Sequence, residues 1–119
     1  MAQITLGGNP ATTLGTLPAV GTQATDFTLT AVDLSSKKLT DYPGKRKILN
    51  IFPGVDTGVC ATAARTFNKE AASLDNTQVL CISRDLPFAQ ARFCAAEGIE
   101  NVEMLSDFKD GSFGDAYGL

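Results

Sequence analysis

The chain has 119 residues, 44% of them hydrophobic and 19% charged, the size and composition of one globular domain spanning 1–119 and too short for two ordinary ones. Thirteen acidic against ten basic residues give a net charge of -3, which removes the electrostatic case for a polyanion such as nucleic acid. There is no histidine, so Ser-His-Asp and Cys-His catalysis, His-ligated zinc and the H-E-x-x-H helix are excluded.

The three cysteines, Cys60, Cys81 and Cys94, are too far apart for a C-x-x-C redox pair or a four-thiolate metal set, and their odd number speaks against a purely structural disulfide framework. No metal or cofactor is expected. The N-terminus lacks the basic and apolar regions of a signal peptide, and no stretch approaches the ~20 apolar residues that span a bilayer. The expected location is cytoplasmic, without a membrane. In a reducing cytosol, disulfides are usually transient and serve catalysis or sensing.

In chain order, Gly7-Gly8-Asn9-Pro10 between two short Thr/Leu/Ile runs predicts a β-hairpin over 3–16. The alternation over 26–30 predicts a strand, and 33–43 is turn-rich with a brief extended piece at Lys38-Leu39-Thr40. The basic run Lys45-Arg46-Lys47 reads as the solvated entry of the next strand, over 47–52, whose nearly continuous apolar character predicts a central strand covered on both faces. Apolar residues at Cys60, Ala63, Ala64, Phe67, Ala71 and Leu74 fall at helical spacing, predicting a helix over 58–74 with one buried stripe. A buried strand over 77–83 follows. Asp85 is then expected to cap a second helix, with Pro87 in its first turn and Gly98 at its end. A third strand over 102–106 and a short helical turn over 111–117 ending at Gly118 complete the chain. Strand, helix, strand, helix, strand with short links implies a parallel α/β sheet.

Cys60 falls where the 47–52 strand runs out into the first turn of the 58–74 helix, the edge of an open α/β sheet at which ligands bind. The unpaired N–H groups and the positive dipole end of a helix start favour thiolate over thiol, so Cys60 is a candidate nucleophile that needs no histidine. Thr57 can cap the helix and face the sulfur, and Pro53 stiffens the loop and offers a dry wall beside it. Burial as a small hydrophobe remains open for Cys60. From its position alone Cys94 reads as a helix residue packed under Phe93, and Cys81, in a buried strand, reads as core.

The run Pro53-Gly54-Val55-Asp56-Thr57-Gly58-Val59-Cys60 resembles the P-x-x-x-T-x-x-C signature of peroxiredoxins. The wider text, with Leu80-Cys81-Ile82-Ser83-Arg84-Asp85-Leu86-Pro87-Phe88-Ala89-Gln90-Ala91-Arg92-Phe93-Cys94, is similar to the bacterial thiol peroxidase branch, the atypical two-cysteine members. The resemblance implies a thioredoxin-like fold with an N-terminal β-hairpin, and an antioxidant enzyme reducing hydrogen peroxide and organic hydroperoxides. It implies Cys60 as the peroxidatic cysteine and Cys94 as the resolving one, with Thr57 and Pro53 completing the site. Oxidation would pass through a sulfenic acid to an intramolecular disulfide that thioredoxin reduces, in a homodimer. Cys81 matches no catalytic position.

Members of this branch continue past the Tyr117-Gly118 pair with further strands and a helix, one strand of which supplies an arginine beside the reactive sulfur. The family's C-terminal strands and helix are thus expected to be missing here, which leaves an unpaired sheet edge. None of Arg65, Arg84 and Arg92 matches the arginine's position. Two other readings stand beside the enzyme: a non-catalytic folding or interaction module, and a thioredoxin-like disulfide reductase. The second is disfavoured because positions 57 and 63 hold Thr and Ala rather than a nearby second thiol.

Overall fold

The computed structural model describes the chain except Met1, Gly7, Thr57 and Ala72 and the side chain of Val59. Strands β1 (Gln3–Leu6) and β2 (Asn9–Thr12) form the expected hairpin, antiparallel with Gln3 opposite Thr12. Gly8, at φ +83, takes the left-handed conformation in its turn; Gly7 lies outside the described residues.

The main sheet contains β3 (Thr28–Ala31), β4 (Ser36–Lys38), β5 (Arg46–Ile51), β6 (Thr77–Ser83) and β7 (Glu103–Ser106), in the order β4-β3-β7-β6-β5. Strands β5, β6 and β7 are parallel, while β3 runs antiparallel to both β4 and β7. Helix α1 (Gly58–Ala71) connects β5 to β6, and α2 (Pro87–Glu97) connects β6 to β7. A short α3 (Ser112–Tyr117) follows β7.

Period-two alternation divides the strands between two apolar layers. Val79, Cys81, Met104 and Ile48 face one side, packed with Cys60, Phe67 and Ala71 of α1 and with Phe93 and Cys94 of α2. Leu80, Ile82, Leu105 and Leu29 face the other, packed with Phe27, Tyr42 and the α3 aromatics Phe113 and Tyr117. Both cysteine-bearing helices therefore cover the same face of the sheet. The opposite layer is closed by α3, whose Phe113 meets Phe27 edge-on at 5.5 Å and stacks on Tyr117 at 4.6 Å. The Asp107 carboxylate accepts the Phe113 and Gly114 N–H groups at 3.1 and 3.0 Å, doing for the start of α3 what Gly111, without a side chain, cannot.

Several expectations are corrected. Among the described residues β5 is an edge strand, paired with β6 alone, and Ile51 is 41% exposed. Its apolar run does touch both layers, through Ile48 and Leu49; hydrophobicity records what lies above and below a strand, not what pairs beside it. Leu39 and Thr40 belong to a 3-10 turn, Leu39–Asp41, rather than to a strand. The Asp41 carboxylate draws this turn tight by accepting the Lys38 N–H at 2.7 Å. Helix α1 is bounded at Ala71, and Leu74 lies beyond it, 41% exposed and off the buried stripe. Asp85 does not cap α2: the N-cap is Leu86, without a side-chain cap.

Candidate active site

Cys60 is the third residue of α1, reached from the end of β5 through Phe52, Pro53, Gly54, Val55 and Asp56. In that first helical turn the backbone N–H groups have no intrahelical acceptor, so their dipoles point at the sulfur's surroundings. Cys60 is 8% exposed and packs with Phe52 and Val55 from its own loop and with Val79, Cys81 and Met104 from the sheet. Phe52 and Val55 form its apolar wall. Pro53, expected in that role, is exposed and lines a cavity of about 550 Å³ together with Phe52, Leu14 of the N-terminal segment and Phe113. Thr57 lies outside the described residues.

Cys94 packs against the same apolar cluster from α2. The two sulfurs expected to react with one another thus share one layer of the protein, and both are free thiols. Burial pushes the Cys94 thiol above its ordinary value, favouring its protonated form. A cavity of about 580 Å³ opens beside it, bounded by Gln78, Ala91, Val102 and Met104.

The core reading of Cys81 is met: it is 0% exposed in β6, and Asn50 Nδ2 on the neighbouring strand lies 3.6 Å from its sulfur. Burial pushes this thiol from 9.0 up to about 11. Because the folded state prefers the protonated sulfur, the resulting stability is complete below pH 9 and is lost as pH rises toward 11. The stability of wild type relative to Cys81→Val should therefore fall by up to about 3 kcal/mol across that range. Urea titrations at stepped pH measure it, and a flat difference would contradict the assignment.

The three arginines weighed for the site differ in their surroundings, and Arg84 lines the cavity that Pro53 and Phe52 border. Arg65 pairs with Glu97 at 3.2 Å, joining α1 to α2. Arg84 lies so close to Gly111 that a Cβ there would fall 2.9 Å from its guanidinium. Arg92 is exposed.

Sequence reasoning missed the role of Asp85. Its Oδ2 accepts the Val55 N–H at 2.9 Å and the Ser83 hydroxyl at 2.7 Å, so it braces the loop leading into Cys60. The available signal was a carboxylate and a serine two positions apart at the end of a buried strand, the end where α/β sites assemble.

A cysteine in the first turn of the helix that follows a sheet strand, above a mixed sheet with helices on both faces, is the arrangement of a thioredoxin-like fold. Comparison with known proteins agrees. The Redoxin family profile matches residues 19–119. Thiol peroxidases of Streptococcus sanguinis and Oceanobacillus iheyensis are 57% and 50% identical to the chain over 112 and 119 residues. These matches cover 94% and 100% of this chain and 69% and 73% of those proteins. The crystal structure of a peroxiredoxin-like protein from Aquifex aeolicus superposes with TM-score 0.89 at 34% identity, covering 98% of this chain and 67% of that one. A thiol peroxidase from Chromobacterium violaceum shares the fold, with TM-score 0.83 at 21% identity over 98% of this chain and 67% of that one. The chain belongs to the redoxin family, in its thiol peroxidase branch.

Proposed function

We propose that this chain is a thioredoxin-dependent peroxiredoxin that reduces hydrogen peroxide and organic hydroperoxides, with Cys60 as nucleophile and Cys94 as resolving thiol. The observation that carries the reading is the placement of both cysteines against one apolar cluster, with Cys60 at the start of α1. The Cys60 thiolate attacks the terminal peroxide oxygen and the O–O bond breaks. One oxygen passes to sulfur, the remainder leaves as alcohol or water after taking a proton, and Cys60 becomes a sulfenic acid. The Cys94 sulfur then displaces hydroxide from that sulfenic acid; with the Cys94 proton this leaves as water, and the disulfide forms. Thioredoxin's two thiols reduce the disulfide by exchange and become a disulfide themselves.

In this reading Thr57 supplies the hydroxyl that hydrogen-bonds sulfur and peroxide, and Pro53 sets the course of the loop. Residues 1–119 form the N-terminal portion of one peroxiredoxin-type domain, which works as a homodimer in the cytoplasm; no helix among the described residues is long and apolar enough to cross a membrane. A disulfide needs Cα atoms roughly 4.4 to 6.8 Å apart, and both cysteines sit inside helices. In this reading local unwinding at Cys60, Cys94 or both separates the two steps.

The test is one equivalent of peroxide added to the reduced protein, followed by thiol mapping. The expected product is a Cys60–Cys94 bridge, with Cys81 still reduced. Oxidation of Cys60 no faster than that of Cys81 would remove the enzyme reading in favour of a non-catalytic module, and insulin reduction without peroxide would favour a disulfide reductase.

A further inference from the structure

A buried polar chain joins the two cysteine-bearing elements, and the scheme above leaves it unused. Gln90 sits in α2 one turn before Cys94 and is 0% exposed. Its Nε2 donates to Ser83 Oγ at 3.1 Å and to the Leu105 carbonyl at 2.9 Å. Ser83 Oγ donates in turn to Asp85 Oδ2 at 2.7 Å, and the same carboxylate oxygen accepts the Val55 N–H at 2.9 Å. The Ser106 hydroxyl holds the Asp85 main chain by donating to its carbonyl. Hydrogen bonds thus run without a break from the Cys94 helix to the Cys60 loop, across the ends of β6 and β7.

We propose that Asp85, Ser83 and Gln90 are positioning residues that latch the Cys60 loop and the Cys94 helix in the peroxide-reactive arrangement, and that releasing this latch is the step that lets the two sulfurs meet. The inference rests on the cysteine roles proposed above.

The two ends of the latch differ in strength. At the loop end a carboxylate collects two donors, and hydrogen bonds to a carboxylate are stronger than neutral ones. At the helix end Gln90 Oε1 is buried without a partner among the described residues, an acceptor that regains hydrogen bonds only by reaching water. Helix α2 also starts at Leu86 without a side-chain cap. Its far end is tied to α1 by the Arg65–Glu97 pair and by Asn68 Oδ1, which accepts the Glu100 and Asn101 N–H groups at 3.0 and 2.7 Å.

Rapid-quench mass spectrometry resolves the two steps: sulfenic acid on Cys60 trapped by a dione probe, and the disulfide that follows. In Asp85→Ala, loss of the loop bond should slow Cys60 oxidation about tenfold or more while disulfide formation speeds up by a comparable factor. Asp85→Asn keeps an acceptor oxygen and should restore most of the oxidation rate. Gln90→Met should speed disulfide formation more than it slows oxidation. A merely structural role lowers both rates with the folded fraction and leaves their ratio at the wild-type value. An unchanged ratio in Asp85→Ala overturns the latch, and if that variant does not fold, the same ratio in Asp85→Asn and Gln90→Met decides. Wild-type protein forming no sulfenic acid on Cys60 would overturn the cysteine assignment itself, a result separate from any variant's ratio.

Discussion

Cys60→Ser should abolish peroxide reduction, lowering kcat/KM by about four orders of magnitude or more in a thioredoxin-coupled assay of NADPH oxidation. A serine hydroxyl remains protonated at neutral pH, and an alkoxide oxygen is not the soft nucleophile that accepts an oxygen atom from a weak O–O bond. The loss should occur without unfolding, because Cys60 is one small member of a cluster that also contains Phe52, Val55, Val79 and Met104. Cys94→Ser separates the two roles. It should leave the first oxidation of Cys60 in place, so that one equivalent of peroxide is still consumed, but turnover with thioredoxin should stop and Cys60 should proceed to the sulfinic acid under excess peroxide. Mass spectrometry distinguishes one added oxygen from two. Equal loss of the first oxidation step in both variants would contradict the division of labour.

Phe113→Ala should cost about 3–5 kcal/mol of folding stability, a large share of the roughly 5–15 kcal/mol that holds a domain together. Phe113 is 2% exposed and packs against Phe27, Tyr117 and the strand residues Leu80, Ile82 and Leu105. Its removal opens a cavity beneath a helix of fewer than two turns, which cannot persist without the packing of its apolar face. Urea unfolding should show a lower midpoint with a similar slope. A change below about 1 kcal/mol would mean that α3 does not close this layer. The variant should still form sulfenic acid on Cys60 wherever it is folded, because Phe113 belongs to the layer opposite both cysteine helices.

These two expectations have different origins. The helix-start position of Cys60 was legible in the sequence, because strand, loop and helix are a short-range pattern; the peroxidase reading came from the resemblance of the contiguous run Pro53 to Cys60 to the peroxiredoxin signature. Strand β6 and helix α3 were equally legible: the Thr77–Ser83 run is apolar enough to be buried on both faces, and glycines at 111 and 118 bracket the short helix at φ +69 and +73. The layer to which Phe113 belongs was not.

Asp85 shows where local reading stops. Beside the start of a helix, an aspartate finds its commonest partner in the helix's own first turn. Here its carboxylate turns instead to the Val55 N–H, thirty positions earlier in the chain. Local chemistry offers both acceptor uses at similar energy, and the choice falls to whichever donor the packed β5 and β6 ends bring within 3 Å. Strand β5 is a similar case. Its composition records apolar layers above and below, and its place in the strand order records only which partners the crossovers deliver to its side.

The sequence by itself determined the order of the main strands and helices, the absence of histidine-based chemistry and the position of Cys60 at the start of α1, because each is decided within a few residues of chain. Tertiary structure alone decided that Cys94 shares a layer with Cys60 and that Asp85 braces the loop leading into Cys60. Those outcomes depend on contacts between segments far apart in sequence, and such contacts exist only once the sheet has set its strand order and register.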